Sequence, residues 1–388
     1  MQIGIIAPPW VPVPPPAYGG TEAVIDNLAR GLQAIGHHVR LFTVGESTCP
    51  VSRDHLFPTA VDLMGDTMAE TDHVLAAYEA LSDMDVIHDH TTLGPLMAGR
   101  RPPGQPPVVA TNHGPFTDQT RRIYARIAEH ASVVAISHSH AASARGVPIS
   151  AVIHHGIDLE VYRPGPGDGG YLLFVGRMSP TKGVHNAVRI AKEAGWPLVM
   201  ATKVREPAEK IYFEEQVRPL LDPGDELPVE QPLERRLEMF RSAHALLNPI
   251  QWREPFGLVM AEAQASGTPV LAFPNGAAPE IVDHGQTGYL GADDGVLAAS
   301  VDKVQELDRA ACRRRVEREF SLERMAHDHV RLYHRVLAHD GDSAAMNIPE
   351  PRSAGTAGPY VHPTDAPATW PTERGIGQLN DLLERRPR

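Results

Sequence analysis

Glu254-Pro255-Phe256-Gly257-Leu258-Val259-Met260-Ala261-Glu262 joins two carboxylates to the start of a helix. A Pro and a Gly stand before an apolar run, Leu258 to Ala265, that closes at Gly267. The pattern predicts a loop entering a helix, with a glycine stop at the C-terminal end. The amides of Gly257 and Leu258 then sit at the open N-terminus, where unpaired N–H groups and the helix dipole attract phosphate. Glu262 lies about one turn deeper, ~6 Å for four residues at ~1.5 Å rise. That offset suits a carboxylate accepting both ribose hydroxyls while a diphosphate occupies the helix end. Glu254, outside the helix, is placed for hydroxyls beyond the phosphates, on a sugar. The plainer alternative is an amphipathic helix with two ordinary surface acids.

Tyr171-Leu-Leu-Phe-Val175 is a short apolar run of the kind buried in a parallel sheet. It ends in Gly176-Arg177, and Ser179-Pro180 follows as an N-cap and first helical residue. The helix is expected to continue through Val184, Val188 and Ala191 to Gly195. Lys182 then falls in its first turn, the wrong end for a cation, at a cost of about 0.3–1 kcal/mol. A bound diphosphate reverses that sign, so Arg177 and Lys182 are better explained with an anion than without one.

Gly176-Arg177 with Lys182-Gly183, then Glu254 with Glu262, resembles the donor half of the family 4 glycosyltransferases, retaining enzymes of the GT-B fold. The likeness extends through Tyr18-Gly19-Gly20, Thr111-Asn112-His113-Gly114 and His155-Gly156-Ile157-Asp158, in order over residues 1 to 338. His88-Asp89-His90 and the run Leu172 to Gly183 are similar to the subgroup that includes an avilamycin-type antibiotic tailoring enzyme. The resemblance implies an α/β protein of two Rossmann-like domains facing each other across a cleft. It implies that an amide of Gly19 or Gly20 contacts the donor's distal phosphate, and that His113 contacts the donor sugar near its 6-hydroxyl. Arg177 and Lys182 would hold the diphosphate, Glu254 the hexose and Glu262 the ribose, with Phe256, Gly257 and Leu258 completing the donor site. It also implies retention, by front-face attack with the diphosphate as proton acceptor. Ala201-Thr202 stands where many relatives carry Ala-Gly, and Glu226-Leu-Pro-Val-Glu230 lacks the usual glycine. Both departures flank the expected base pocket, which leaves UDP, GDP and ADP open.

With 388 residues the chain exceeds one ordinary core, and two domains are expected. A net charge of −12 argues against nucleic acid and a generally basic membrane-binding surface, leaving a local patch for peripheral membrane contact open. Cys49 and Cys312 imply no disulfide framework and fit a reducing cytoplasm. The N-terminus runs straight into a strand and no apolar stretch reaches ~18 residues, so neither signal peptide nor membrane span is expected. Residues 2–7, 39–44, 85–88, 107–111, 133–136 and 151–154 read as strands alternating with helices such as Glu22 to Ile35. The Pro/Gly run 164–170 reads as a linker. The expected organisation is an acceptor-side domain over 1–164, a donor domain over 171–320, a terminal helix over 321–338 crossing back, and a disordered tail over 339–388. The oligomeric state is left open.

In the first domain a stiff proline loop, Pro8 to Pro16, delivers Gly19-Gly20 to a helix start, where glycines permit close backbone approach. Trp10 and Tyr18 are candidates for stacking on an acceptor ring. His113 ends a strand at the edge where open α/β sheets bind ligands. His88 and His90 point the same way from another strand end, for acceptor binding or for hydrogen bonding across the sheet. No metal or other cofactor is expected, because Arg177 and Lys182 supply the charge that Mg²⁺ supplies in other transferases. The expected activity is transfer of a hexosyl group from a UDP- or GDP-linked sugar to a small-molecule, glycan or lipid acceptor. The rivals are a non-catalytic sugar-nucleotide-binding protein, and another GT-B enzyme such as an epimerase or phosphorylase.

Overall fold

The computed structural model describes residues 1–339 apart from 18, 101, 103 and 223–228. Tyr18 and the tail expected beyond residue 339 lie outside the described residues. The first sheet comprises β1 (Gln2–Ile6), β2 (His38–Thr43), β3 (Ser52–His55), β4 (Val86–Asp89), β5 (Val108–Thr111), β6 (Ser132–Ala135) and β7 (Ile149–Val152). The second comprises β8 (Leu172–Arg177), β9 (Leu198–Lys203), β10 (Ala245–Asn248), β11 (Val270–Ala272) and β12 (Gly288–Leu290). All pairings within them are parallel, and apart from the edge strand β3 the strands are the apolar runs usual in parallel sheets.

Strand order locates the site. The first sheet runs β3-β2-β1-β4-β5-β6-β7 and the second β12-β11-β10-β8-β9. The order reverses beside β1 in one sheet and beside β8 in the other, and each reversal opens a crevice at the carboxyl ends of the strands. The proline loop and His90 leave the first of these edges; Arg177 and the segment after Asn248 leave the second.

The helix Gly20–Ala34 buries Val24, Ile25, Leu28 and Leu32 against the first sheet and ends before Gly36, whose φ is +88°. The terminal helix Leu322–His339 packs against it, and its Met325, Ala326, Leu332 and Tyr333 join the core of the first sheet. A Cβ on Gly31 would lie 2.7 Å from Leu322 Cδ2, so the close packing of these helices depends on that glycine. Among the described residues no helix is long and apolar enough to cross a membrane.

Two local expectations need correction. β3 is absent from the sequence reading because Ser-Arg-Asp-His has no apolar alternation; it is an exposed edge strand specified by its register with β2. Lys182 is not in the first turn of a helix. Pro180–Lys182 forms a 3₁₀ turn, Gly183 is left-handed at φ +72°, and the α-helix starts at Val184. The cause is crowding: a Cβ on Gly183 would stand 2.0 Å from the Pro249 carbonyl oxygen, so backbone packs on backbone there. Ser179 accordingly caps no amide, and its hydroxyl lies 3.1 Å from Thr181 Oγ1.

Candidate functional site

A cavity of about 420 Å³ lies between the two sheet edges. It is bordered on one side by Gly19, Gly20 and His113, and on the other by Lys182, Glu254 and Glu262. The helix Gly20–Ala34 and the helix Leu258–Ala265 present their N-termini to it from opposite sides. A Cβ on Gly20 would be 3.6 Å from Leu258 Cδ1, which shows how nearly the two ends meet. Free amides and the positive ends of two dipoles thus converge, an arrangement suited to an anion. Glu22, buried beside Gly19, is raised to about 7 by desolvation and is largely protonated below neutrality.

On the second side Gly257 takes φ +95° and starts the helix Leu258–Ala265. The loop before it is clamped from several directions. Gly276 packs so closely that a Cβ would sit 2.2 Å from the Glu254 carbonyl oxygen, which also accepts from the Ala277 amide at 3.0 Å. The Pro255 carbonyl accepts from Ser137 Oγ at 2.6 Å, and Phe256 is buried edge-on to His155 with ring centroids 5.0 Å apart. Glu280 accepts from the His138 and Ser139 amides and pairs with His154 at 2.7 Å, tying the His138–Ser143 helix to the second sheet's side. Burial opposes its charge, yet these partners hold the Glu280 carboxyl below its ordinary range.

Lys182 Nζ donates to Glu254 Oε2 at 2.7 Å, both side chains being about 15 % exposed. The sequence reading assigned the two to separate parts of a ligand; the fold makes them partners. Glu262, four residues into its helix, accepts from Tyr162 Oη at 2.8 Å and lines the cavity. Desolvation raises its pKa, opposed by the charge of Arg236 and by the tyrosine hydrogen bond.

His113 also lines the cavity, and its Nε2 shares a 2.8 Å hydrogen bond with His90 Nδ1, so one ring must donate and the other accept. It stacks on His155 with centroids 5.3 Å apart, and burial pushes it down to about 3, so the ring is neutral near pH 7. His90 stands behind His113. His88 lies deeper, its two ring nitrogens bonded to Tyr333 Oη and Thr111 Oγ1, each at 2.7 Å. Of the two readings offered for this pair, the structure shows cross-sheet hydrogen bonding; neither ring lines the cavity. Trp10 is half-buried and Arg177 exposed, and neither lines it either.

Several lining residues carried no motif. Asp26, Asn27 and Arg30 project from one face of the helix Gly20–Ala34 toward Asp158. Arg30 donates to Asp26 at 2.8 Å, to Asn27 at 2.7 Å and to Asp158 at 2.5 Å, while Asn27 donates to the Gly156 carbonyl at 2.9 Å. Tyr162 and Arg236 likewise meet Glu262 only through the fold. The i, i+4 spacing of Asp26 and Arg30 was the one available signal, and it reads equally as a surface ion pair.

Comparison with known proteins gives this geometry a context. Residues 18–161 match the family described as Glycosyltransferase Family 4, and residues 163–318 match Glycosyl transferases group 1. The D-inositol 3-phosphate glycosyltransferase of Mycolicibacterium smegmatis is 29% identical over 240 residues, 56% of this chain and 52% of the relative. The match thus spans about half the length of that curated relative. The structure of AviGT4, a glycosyltransferase involved in avilamycin A biosynthesis, superposes with a TM-score of 0.63 at 27% identity, covering 87% of this chain and 98% of that one. Anabaena HepE, solved with UDP and glucose, superposes with a TM-score of 0.66 at 17% identity, covering 85% and 98%, a likeness of fold alone. On a GT-B fold, therefore, this chain carries a family 4-like glycosyltransferase domain followed by a group 1 glycosyltransferase domain.

Proposed function

We propose that this protein is a retaining glycosyltransferase that moves a hexosyl group from a nucleotide-diphosphate sugar to an acceptor, without a metal or other cofactor. The observation that carries the reading is the cavity where two helix N-termini converge beside the Lys182–Glu254 pair. Negative charge grows on the diphosphate as the C1–O bond breaks, and Lys182 with the Gly20, Gly257 and Leu258 amides are the groups suited to stabilise it. Arg177 is assigned to the same anion from the end of β8. Once Lys182 turns to phosphate, Glu254 is released to accept from hexose hydroxyls, and His113, neutral, offers a ring nitrogen to the same sugar. Glu262 accepts from the ribose. With no side chain assigned as covalent nucleophile, front-face attack with a diphosphate oxygen taking the acceptor's proton accounts for retention.

Residues 1–164 form the acceptor side in this reading and 171–320 the donor side, with the terminal helix returning to the first. The acceptor is a small molecule, glycan or lipid. A reducing, cytoplasmic setting agrees with Cys49 and Cys312, both buried and free. The matches to two glycosyltransferase domain families support transfer over epimerase, phosphorylase or purely binding alternatives. Donor turnover in Lys182→Ala tests it: a loss of about 2–4 kcal/mol of transition-state stabilisation is expected with the fold retained. Wild-type turnover of UDP- or GDP-sugars by that variant would overturn the assignment.

A further inference from the structure

His90 follows β4, and its amide donates to the Ile6 carbonyl at 3.0 Å, which fixes the backbone where the strand order of the first sheet reverses. The residue is 6% exposed, and its ring has centroid distances of 4.2 Å to His88 and 5.1 Å to His113. Its two nitrogens differ. Nδ1 shares the 2.8 Å hydrogen bond with His113 Nε2, whereas Nε2 is shielded from solvent and has no hydrogen-bond partner. Burial first, and then the neighbouring histidines, hold His90 well below 6.5, so the ring carries a single proton near pH 7. That proton has two places to stand. On Nε2 it would make a buried N–H with no acceptor, and orphan N–H groups are rarer in folded proteins than under-satisfied acceptors. On Nδ1 it is donated to His113, and only a lone pair is left bare.

Resting on the nucleotide-sugar reading above, we infer that His90 is a positioning residue: it donates from Nδ1 to His113 Nε2 and so fixes His113 as the Nδ1–H tautomer, a hydrogen-bond donor to an oxygen of the bound sugar. The consequence follows from counting protons. His113 is neutral as well, so with Nε2 accepting, its one proton stands on Nδ1. Among the described residues that N–H has no acceptor, and the ring borders the cavity, so a ligand supplies the oxygen. In the other tautomer His113 would offer the sugar a second acceptor in addition to Glu254, and no donor from its side of the cavity. Stacking on His155, with centroids 5.3 Å apart, restricts the plane of the His113 ring and leaves the choice of tautomer to His90. The chain therefore sets a reactive-site hydrogen bond from a residue that does not itself line the cavity.

Long-range proton–nitrogen NMR of the full-length protein tests this, because it separates the two neutral tautomers of one ring; His113 is assigned by the signals that His113→Gln removes. The wild type is expected to show His113 as Nδ1–H, and the Nε2–H tautomer overturns the inference. His90→Phe keeps a ring in place and removes the donor. His113 should then lose its single tautomer, and kcat with UDP-glucose or GDP-glucose should fall by about 10–100-fold while KM stays within about threefold. His90→Asn puts an amide N–H where Nδ1 stood, and should restore the tautomer and bring kcat to within about threefold of the wild type. An unchanged His113 tautomer in His90→Phe, or wild-type kcat in it, overturns the role of His90. Melting of each unliganded variant reports whether its fold is intact; should His90→Phe unfold, the wild-type spectrum and His90→Asn carry the same decision. Failure of the wild type to bind or turn over either donor overturns the nucleotide-sugar reading, while the spectrum still decides whether His90 sets the His113 tautomer.

Discussion

Lowering the pH from 7.0 to 5.5 should destabilise this protein, because its interior holds histidines that folding keeps neutral. His73, His140 and His329 are pushed down from 6.5 to about 4, and His113 to about 3, in each case first by desolvation. Above 6.5 these rings are neutral whether the chain is folded or not. As the pH falls below 6.5 the unfolded chain takes up protons that the folded one refuses, so stability drains away until the folded pKa values are reached. Between pH 7.0 and 5.5 that linkage is worth about 1 kcal/mol per ring and about 5 kcal/mol for the four. Buried carboxyls oppose it, Glu262 among them, raised by desolvation. Glu22, raised to about 7, and Asp89, raised to about 6, are both raised chiefly by burial and are protonated more readily in the folded state. Together they return about 2 kcal/mol over the same interval. Asp158 and Glu280 are held low and do not yet titrate. The net loss is about 3 kcal/mol, a substantial part of the ~5–15 kcal/mol typical of a folded protein. His88, His90 and His155, all lowered well below 6.5, add to it. Urea denaturation followed by circular dichroism at the two pH values measures it directly. A midpoint at pH 5.5 equal to or above that at pH 7.0 would refute the reasoning.

Three further outcomes follow from the site. Tyr162→Phe removes the 2.8 Å donor to Glu262 and leaves a buried carboxylate oxygen unpaired, so stability should fall by about 1–3 kcal/mol; an unchanged urea midpoint would argue against that contact. Gly276→Ala places a methyl 2.2 Å from the Glu254 carbonyl oxygen, at φ +59°, and should displace the Glu254 loop. Turnover is expected to drop by about a hundredfold with the fold retained, and kinetics at the wild-type level would show that the clamp does not position Glu254. Transfer should persist in EDTA, since Lys182 and the helix N-termini face the assigned diphosphate; complete loss reversed by Mg²⁺ would show that a metal takes part.

Much of the site was legible wherever local chemistry and tertiary role coincide. Glu254 to Gly267 reads as loop, helix and stop because proline, left-handed glycine and apolar run each act over a few residues, and the helix spans Leu258–Ala265. Gly19 and Gly20 follow the same logic: a Cβ on Gly19 would lie 2.7 Å from Pro15 Cβ. The reading failed at Lys182, where the deciding contact is with Pro249, a backbone more than sixty positions away in a segment carrying no mark of it. His88 and His90 were ambiguous for a related reason. Strand alternation says that they point the same way but not which side is solvent, and the terminal helix decides that by bringing Tyr333 against His88.

The sequence by itself determined the parallel α/β class, the two glycine-led helix starts and the placing of Glu254 in the loop before the helix that carries Glu262. Those properties depend on periodicity, propensity and spacing, all local in the chain. Only the tertiary structure decided that the two helix starts face one cavity, that Lys182 pairs with Glu254, and that Tyr162 and Arg236 attend Glu262. These contacts join residues far apart in the chain, 72 positions for Lys182 and Glu254 and 100 for Tyr162 and Glu262. They depend on how two sheets place their strand ends, and no local pattern encodes that placement.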